Sequence, residues 1–249
     1  MPRLFPFRLA AACALALLLL ISTAAIATAK VPATLRVVGG GGKVLAEKAL
    51  KTGTTSVPTS PKATCFGKGT AGSGKAATIK GATALGLLGQ AAKSTSALKP
   101  LLLTDAFDFG LGICAVGGYK ATSILSWYLK VNHKNPELGG DAVKLKSGDE
   151  VLWALASYPY PKELSLVAPF SAHPGEPFQV SVFSYDDKGK KKPAAGATVI
   201  GASAPTDAAG HATVTLGEGT TLTARRGKDI PSNGSTVAMC DANGACPVP

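Results

Sequence analysis

Residues 126–155, SWYLKVNHKNPELGGDAVKLKSGDEVLWAL, decide how this chain is read. In Trp127 to Asn132 the apolar Trp127, Leu129 and Val131 fall on one face of a strand, and Tyr128 and Lys130 on the other, because successive strand side chains alternate. After the turn Lys146-Ser147-Gly148-Asp149 the pattern returns with Val151, Trp153 and Leu155. Large aromatics supply much of a small sheet's burial, so Trp127 and Trp153 are read as core.

Outward from this pair, the segment GATALGLLGQAAKS (81–94) places Leu85, Leu88 and Ala92 at helical spacing behind Thr83 as cap. Its Gly86 and Gly89 weaken the helix but permit close packing. Further upstream Thr34 to Val38 alternate, stop at Gly39–Gly42, and lead into Val44 to Leu50 as a hairpin partner. Residues 53–80 are rich in Thr, Ser, Gly, Pro and Lys and read as a flexible insertion anchored by Cys65. Leu101 to Asp105 is a candidate strand, and Phe107 to Cys114 carries the second cysteine into the core. Strand, strand, helix and then several strands predict a small α+β sheet over 30–158.

Prolines 159, 161 and 169 and the run His173 to Pro177 predict a linker over 159–177. Beyond it, 178–239 reads as short strands with turn signals between them, the pattern of a small all-β sandwich. A tail, 240–249, follows.

The run 126–155, with Trp127, Asn132, Gly139-Gly140 and the Gly148 to Val151 turn, resembles the DUF4430 family, the transcobalamin-like C-terminal domain of β-grasp type. TALGLL (83–88) and DFGLGICAVGGY (108–119) stand in the expected preceding places. The resemblance implies a β-grasp domain with one main helix. The second half is similar to an immunoglobulin-like or carboxypeptidase-regulatory-like sandwich through PAAGATVIG (193–201) and TDAAGHATV (206–214). Tyr119, Tyr128, Asn132, Gly139 and Gly140 are candidates for an exposed ligand face. In transcobalamin-like proteins this domain is a lid over a corrinoid whose other face is held by a helical barrel. This chain has no such barrel, so a corrinoid is implied by the resemblance alone and no other cofactor is expected.

The chain begins with Arg3 and Arg8, an apolar run and Ala27-Thr28-Ala29, the outline of a secretory signal over residues 1–29. No later segment is apolar enough to span a membrane, so an extracellular product is expected. Loss of the signal leaves 24 basic and 15 acidic residues, a net charge of +9. Only Arg36, Arg225 and Arg226 among those cations are arginines. Such a surface attracts polyanions as point charges but lacks the planar forks of base readout, which speaks against nucleic acid. The expected partners are an envelope polymer, a surface protein or a small molecule.

Four cysteines remain, and an even count in an exported chain points to disulfides with three possible connectivities. Sequence proximity favours Cys240 with Cys246 and leaves Cys65 with Cys114. In the chain-entropy account the long bridge contributes about 4 kcal/mol and the short one about 2.4 kcal/mol.

Gly69 to Lys75, GTAGSGK, has the glycine and lysine frame of a phosphate-cradling loop. Ala76 stands where such a loop needs a hydroxyl for magnesium, so the nucleotide reading is set aside. Lys68 and Lys75 are kept as contacts for an anionic surface or ligand group. No catalytic or metal-binding spacing emerges: His133, His173 and His211 are far apart, and the pairs Asp105/Asp108 and Asp186/Asp187 suit turns. The expected function is a non-catalytic exported binding or surface-interaction module. The rival, an enzyme or accessory subunit acting on an envelope polymer, requires a polar cleft between the domains that joins a carboxylate such as Asp105 or Asp141 to a histidine.

Overall fold

The computed structural model describes residues 30–248, so the signal expected over 1–29 lies outside the described residues. In chain order the strands of the first half are β1 (Val31–Val38), β2 (Val44–Thr52), β3 (Thr55–Pro58) and β4 (Ala76–Ile79), then helix α1 (Ala84–Ser94), β5 (Leu101–Phe107), β6 (Gly110–Val116), β7 (Tyr119–Lys120), β8 (Ser126–Val131) and β9 (Asp149–Ala156). The second half contains β10 (Glu163–Val167), β11 (Ser171–Ala172), β12 (Pro177–Tyr185), β13 (Lys191–Pro193), β14 (Thr198–Val199), β15 (His211–Thr215), β16 (Thr220–Leu222), β17 (Ala224–Arg225) and β18 (Ser235–Met239).

The quoted run forms β8 and β9, antiparallel neighbours in a four-stranded sheet of order β2-β1-β9-β8. β1 runs parallel to β9, with Leu35 opposite Val151 and Val37 opposite Trp153. This inner face carries Leu35, Val37, Trp127, Leu129, Val151 and Trp153, and α1 buries Leu85, Leu87 and Leu88 in the same core. Thr83 caps the helix by accepting the Gly86 N–H at 3.0 Å.

The α+β, β-grasp expectation is overturned. Among the described residues strand accounts for 44% and helix for 8%, and the strands are divided among several small sheets, so the fold is β-rich. Two segments whose composition suits loop are strands, because partners distant in sequence pair with them. Within the expected insertion, β3 pairs with β4, and Thr55 and Val57 are buried while Ser56 and Pro58 face water. Within the expected linker, Leu164 and Leu166 of β10 join the second core and β10 pairs with β12. β5, β6 and β7 form a sheet of their own rather than extending the first.

The second half builds its core from Leu164, Leu166, Val180, Val182, Val214, Leu222 and Val237, held between the β10/β12/β13/β15 sheet and the smaller ladders around β18. Its β10 end and the Ile230-Pro231 segment lie over the outer face of the first sheet. There Val38, Tyr128, Leu152, Ala154 and Ile230 form a third apolar cluster.

Cys65 is bonded to Cys114 and Cys240 to Cys246. Disulfides fit an extracellular protein, and no described helix is long and apolar enough to cross a membrane.

Candidate functional site between the two halves

Alternation along β1 sends Leu35 and Val37 inward and therefore sends Arg36 outward, beneath the second half. Its guanidinium donates to the carbonyl oxygens of Leu164, at 3.4 Å, and Pro231, and forms an ion pair with the Glu163 carboxylate. Lys130, outward on β8 and fully buried, donates to the carbonyls of Asp186 at 2.8 Å and Tyr185 at 3.2 Å. Its ammonium also lies 3.8 Å from Glu163 Oε2. Buried charges persist only when paired and hydrogen-bonded, and Glu163 is the shared counter-charge of this group.

His133 completes the cluster through an uncommon backbone. The turn after β8 has φ of 49° at Asn132 and 67° at His133. It is closed by reciprocal bonds between Val131 and Lys134 of 2.8 and 3.0 Å. Two consecutive non-glycine residues in the left-handed region cost about 1 kcal/mol or more each unless the surroundings hold them. Asn132 is held to β9: its Nδ2 donates to Asp149 Oδ1 at 2.9 Å and its Oδ1 accepts the Glu150 N–H at 2.9 Å. The turn thereby stacks the His133 ring on Tyr185, with centroids 3.7 Å apart. Nδ1 lies 3.1 Å from Glu163 Oε2 and Nε2 lies 3.7 Å from Glu150 Oε2.

Burial alone would raise the Glu163 carboxyl, but the His133 contact and the charges of Arg36 and Lys130 hold it below the usual glutamate range. Burial lowers the Lys130 ammonium, and Glu163 partly restores it. Desolvation pushes Tyr128 up, as does its bond to Asp187, so its hydroxyl stays a donor at 2.5 Å from Asp187 Oδ1.

A groove of about 380 Å³ opens beside this cluster, and Arg36, Glu47, His133, Glu150, Ser165 and Asn233 are among the residues that line it. Glu47 accepts the Gly234 N–H at 2.8 Å. Desolvation raises its carboxyl although one edge stays in water, and the Gly234 bond and Arg36 pull it back. The polar floor, the apolar sheet face and the volume suit a small ligand or a segment of polymer. Among the described residues no side-chain hydroxyl or thiol hydrogen-bonds to His133.

The expected ligand face is dispersed. Tyr128 is buried, stacked on Tyr160 with centroids 3.9 Å apart. Asn132 serves the turn described above. Tyr119, half-buried on β7, covers Gly39, where an added Cβ would come within 2.9 Å of its ring. Gly140 lies on the opposite, helix side of the sheet, where a Cβ would meet the Trp153 ring at 2.6 Å, and Gly139 is exposed beside Asp141.

Lys68 and Lys75 are exposed. The amides of the intervening glycine loop serve the fold: Gly72 N–H donates to Ser60 O at 3.0 Å, Ser73 N–H to Asp105 Oδ1 at 2.7 Å and Gly74 N–H to Thr59 Oγ1 at 3.1 Å. They leave no converging donors for a phosphate at those positions. Asp105 is lowered by the Ser73 bonds and Asp141 accepts the Leu111 N–H, so these acids stand apart from His133. Among the described residues, the carboxylates that meet an imidazole nitrogen are Glu150 and Glu163. The one three-residue group with metal-ligand proximity among the described residues is His173, Cys240 and Cys246, and its two sulfurs are bonded to each other.

Sequence reading missed Arg36, Glu163 and His133 as a group. Arg36 and Glu163 stand 127 positions apart, and Glu163 falls in the expected linker. The one local signal was Asn132-His133 at a strand end. A scan against family models finds no match for this chain, and no characterised protein matches its sequence.

Proposed function

We propose that this is an exported, non-catalytic binding module whose ligand lies in the groove between its two halves. The observation that carries the reading is the Arg36–Glu163–His133–Lys130 cluster, which fixes both walls of the groove at its floor. Pre-organised walls lower the ordering cost of binding. Glu47 and Glu150 at the rim, with Ser165, favour a ligand bearing hydroxyl and amino groups, such as an amino-sugar polymer of a cell envelope. The DUF4430 likeness adds a corrinoid to the ligands worth testing.

Titration calorimetry of the disulfide-intact chain against envelope glycans, cell-wall polymer and corrinoid tests this reading. Saturable binding that weakens about tenfold in Glu47→Gln/Glu150→Gln is the expected result, as two charge-assisted hydrogen bonds become neutral ones. No binding to any of these, or binding untouched by the double change, sinks it.

One contact favours a second reading: an imidazole flanked by two carboxylates can shuttle protons. Under that reading the chain hydrolyses an envelope polymer, and turnover would vanish in His133→Gln while ligand affinity persists.

A further inference from the structure

Phe107, Phe109 and Phe66 come together at one end of the first half. Phe109 sits in the β5–β6 turn and is 83% exposed, and Phe66, next to the bridged Cys65, is 49% exposed. Phe107 and Phe109 stack with centroids 4.8 Å apart, and Phe66 meets Phe107 edge-on at 5.3 Å. A single exposed phenylalanine needs no explanation, but three rings in contact at a hairpin tip do.

The fold holds them there. Gly112 leaves room beneath: an added Cβ would lie 2.8 Å from the Phe66 ring. The Cys65–Cys114 bridge ties the Phe66 loop to β6. The rings are thus displayed by rigid elements.

Lysines surround them. Lys62 and Lys68 flank Phe66 in the chain and are exposed. Lys80 and Lys144 line a groove of about 370 Å³ alongside Phe107. Asp105, Asp108 and Asp141 line that same groove and keep their negative charge, because the Ser73 and Leu111 donors to Asp105 and Asp141 are neutral, so the cations free to meet an anionic surface are Lys62 and Lys68 beside Phe66.

We propose that this end of the molecule docks on an anionic lipid bilayer. Bare phenyl rings carry no hydroxyl or N–H with which to orient a sugar or a peptide, but they suit the boundary between headgroups and acyl chains. Ammonium groups, as mobile point charges, match headgroup phosphates without fixed geometry. The lysine-rich balance of the whole chain acts in the same direction.

Co-sedimentation of the disulfide-intact chain with phosphatidylglycerol/phosphatidylcholine vesicles, and with phosphatidylcholine vesicles alone, tests the proposal. Binding to the anionic vesicles is expected to exceed binding to the neutral ones by about tenfold or more. Phe66→Ser/Phe109→Ser should lower it by about tenfold, and Lys62→Ala/Lys68→Ala by about fivefold per lysine. Ile200→Ser, at an exposed apolar residue of the second half, should change nothing. Melting temperatures of the lysine variants and of Phe66→Ser/Phe109→Ser should match the parent, which separates docking from folding. Failure to sediment with anionic vesicles overturns the proposal, as does full binding by the phenylalanine variant. Equal loss of binding to soluble polyglutamate in that variant overturns it too, since the surface would then serve an acidic polypeptide.

Discussion

At the scale of single residues, Glu163 is the counter-charge for two buried cations, Arg36 and Lys130, and its removal strands them. Replacing a buried ion cluster with apolar groups can be neutral, but removing one partner is not. Glu163→Gln should therefore destabilise the protein by about 3 kcal/mol, measured by urea unfolding at neutral pH. The same residue sets a pH dependence. Its carboxyl is held below the usual range in the native state by His133, Arg36 and Lys130 against the opposing effect of burial. Its contribution is thus complete above the ordinary glutamate range and is lost as pH falls through the lower native value. In Glu163→Gln the acid limb of the stability curve should flatten; an unchanged limb would place the titration elsewhere.

At the scale of elements, α1 contains an inversion of the usual rule. Glycine to alanine inside a helix ordinarily stabilises by about 1 kcal/mol, yet a Cβ at Gly89 would run into Val57 Cγ1, and Val57 is buried. Gly89→Ala should lower stability by about 1–3 kcal/mol through overpacking, and adding Val57→Ala should recover most of it; thermal melts of the three variants decide. Gly86 and Gly89 were legible in the sequence as sites of close packing, as were the Thr83 cap, the two disulfides and the inward Trp127 and Trp153. These depend on local spacing. What escaped reading depends on distant partners. Thr55–Pro58 and Glu163–Val167 become strands only because Ala76–Ile79 and β12 stand opposite, and Tyr128, read as exposed, is covered by Tyr160 and Asp187 from the second half. Alternation announces that a residue leaves one face of a sheet, but not what meets it on the other.

At the scale of the whole molecule, the charged cluster and the Tyr128–Ile230 apolar group bind the halves into one body. Both tryptophans lie in the first half, so fluorescence reports that half alone while far-UV circular dichroism reports both. Urea transitions followed by the two signals should coincide, as one cooperative unit requires. In Glu163→Gln they should separate, with the second half persisting or failing on its own. Coincident transitions in that variant would assign the coupling to the apolar group. The order of strands in the first sheet has a further effect during synthesis. β1 leaves the ribosome early and finds β2 at once, but its other edge belongs to β9, and Arg36 waits longer still for Glu163 and Pro231. Until then the β1 edge of the hairpin is open, and with Leu35 and Val37 displayed it is an invitation to other nascent chains. A polypeptide arranged in this way needs a holding chaperone or a late start to folding, and its yield should respond to the rate of translation between β2 and β9.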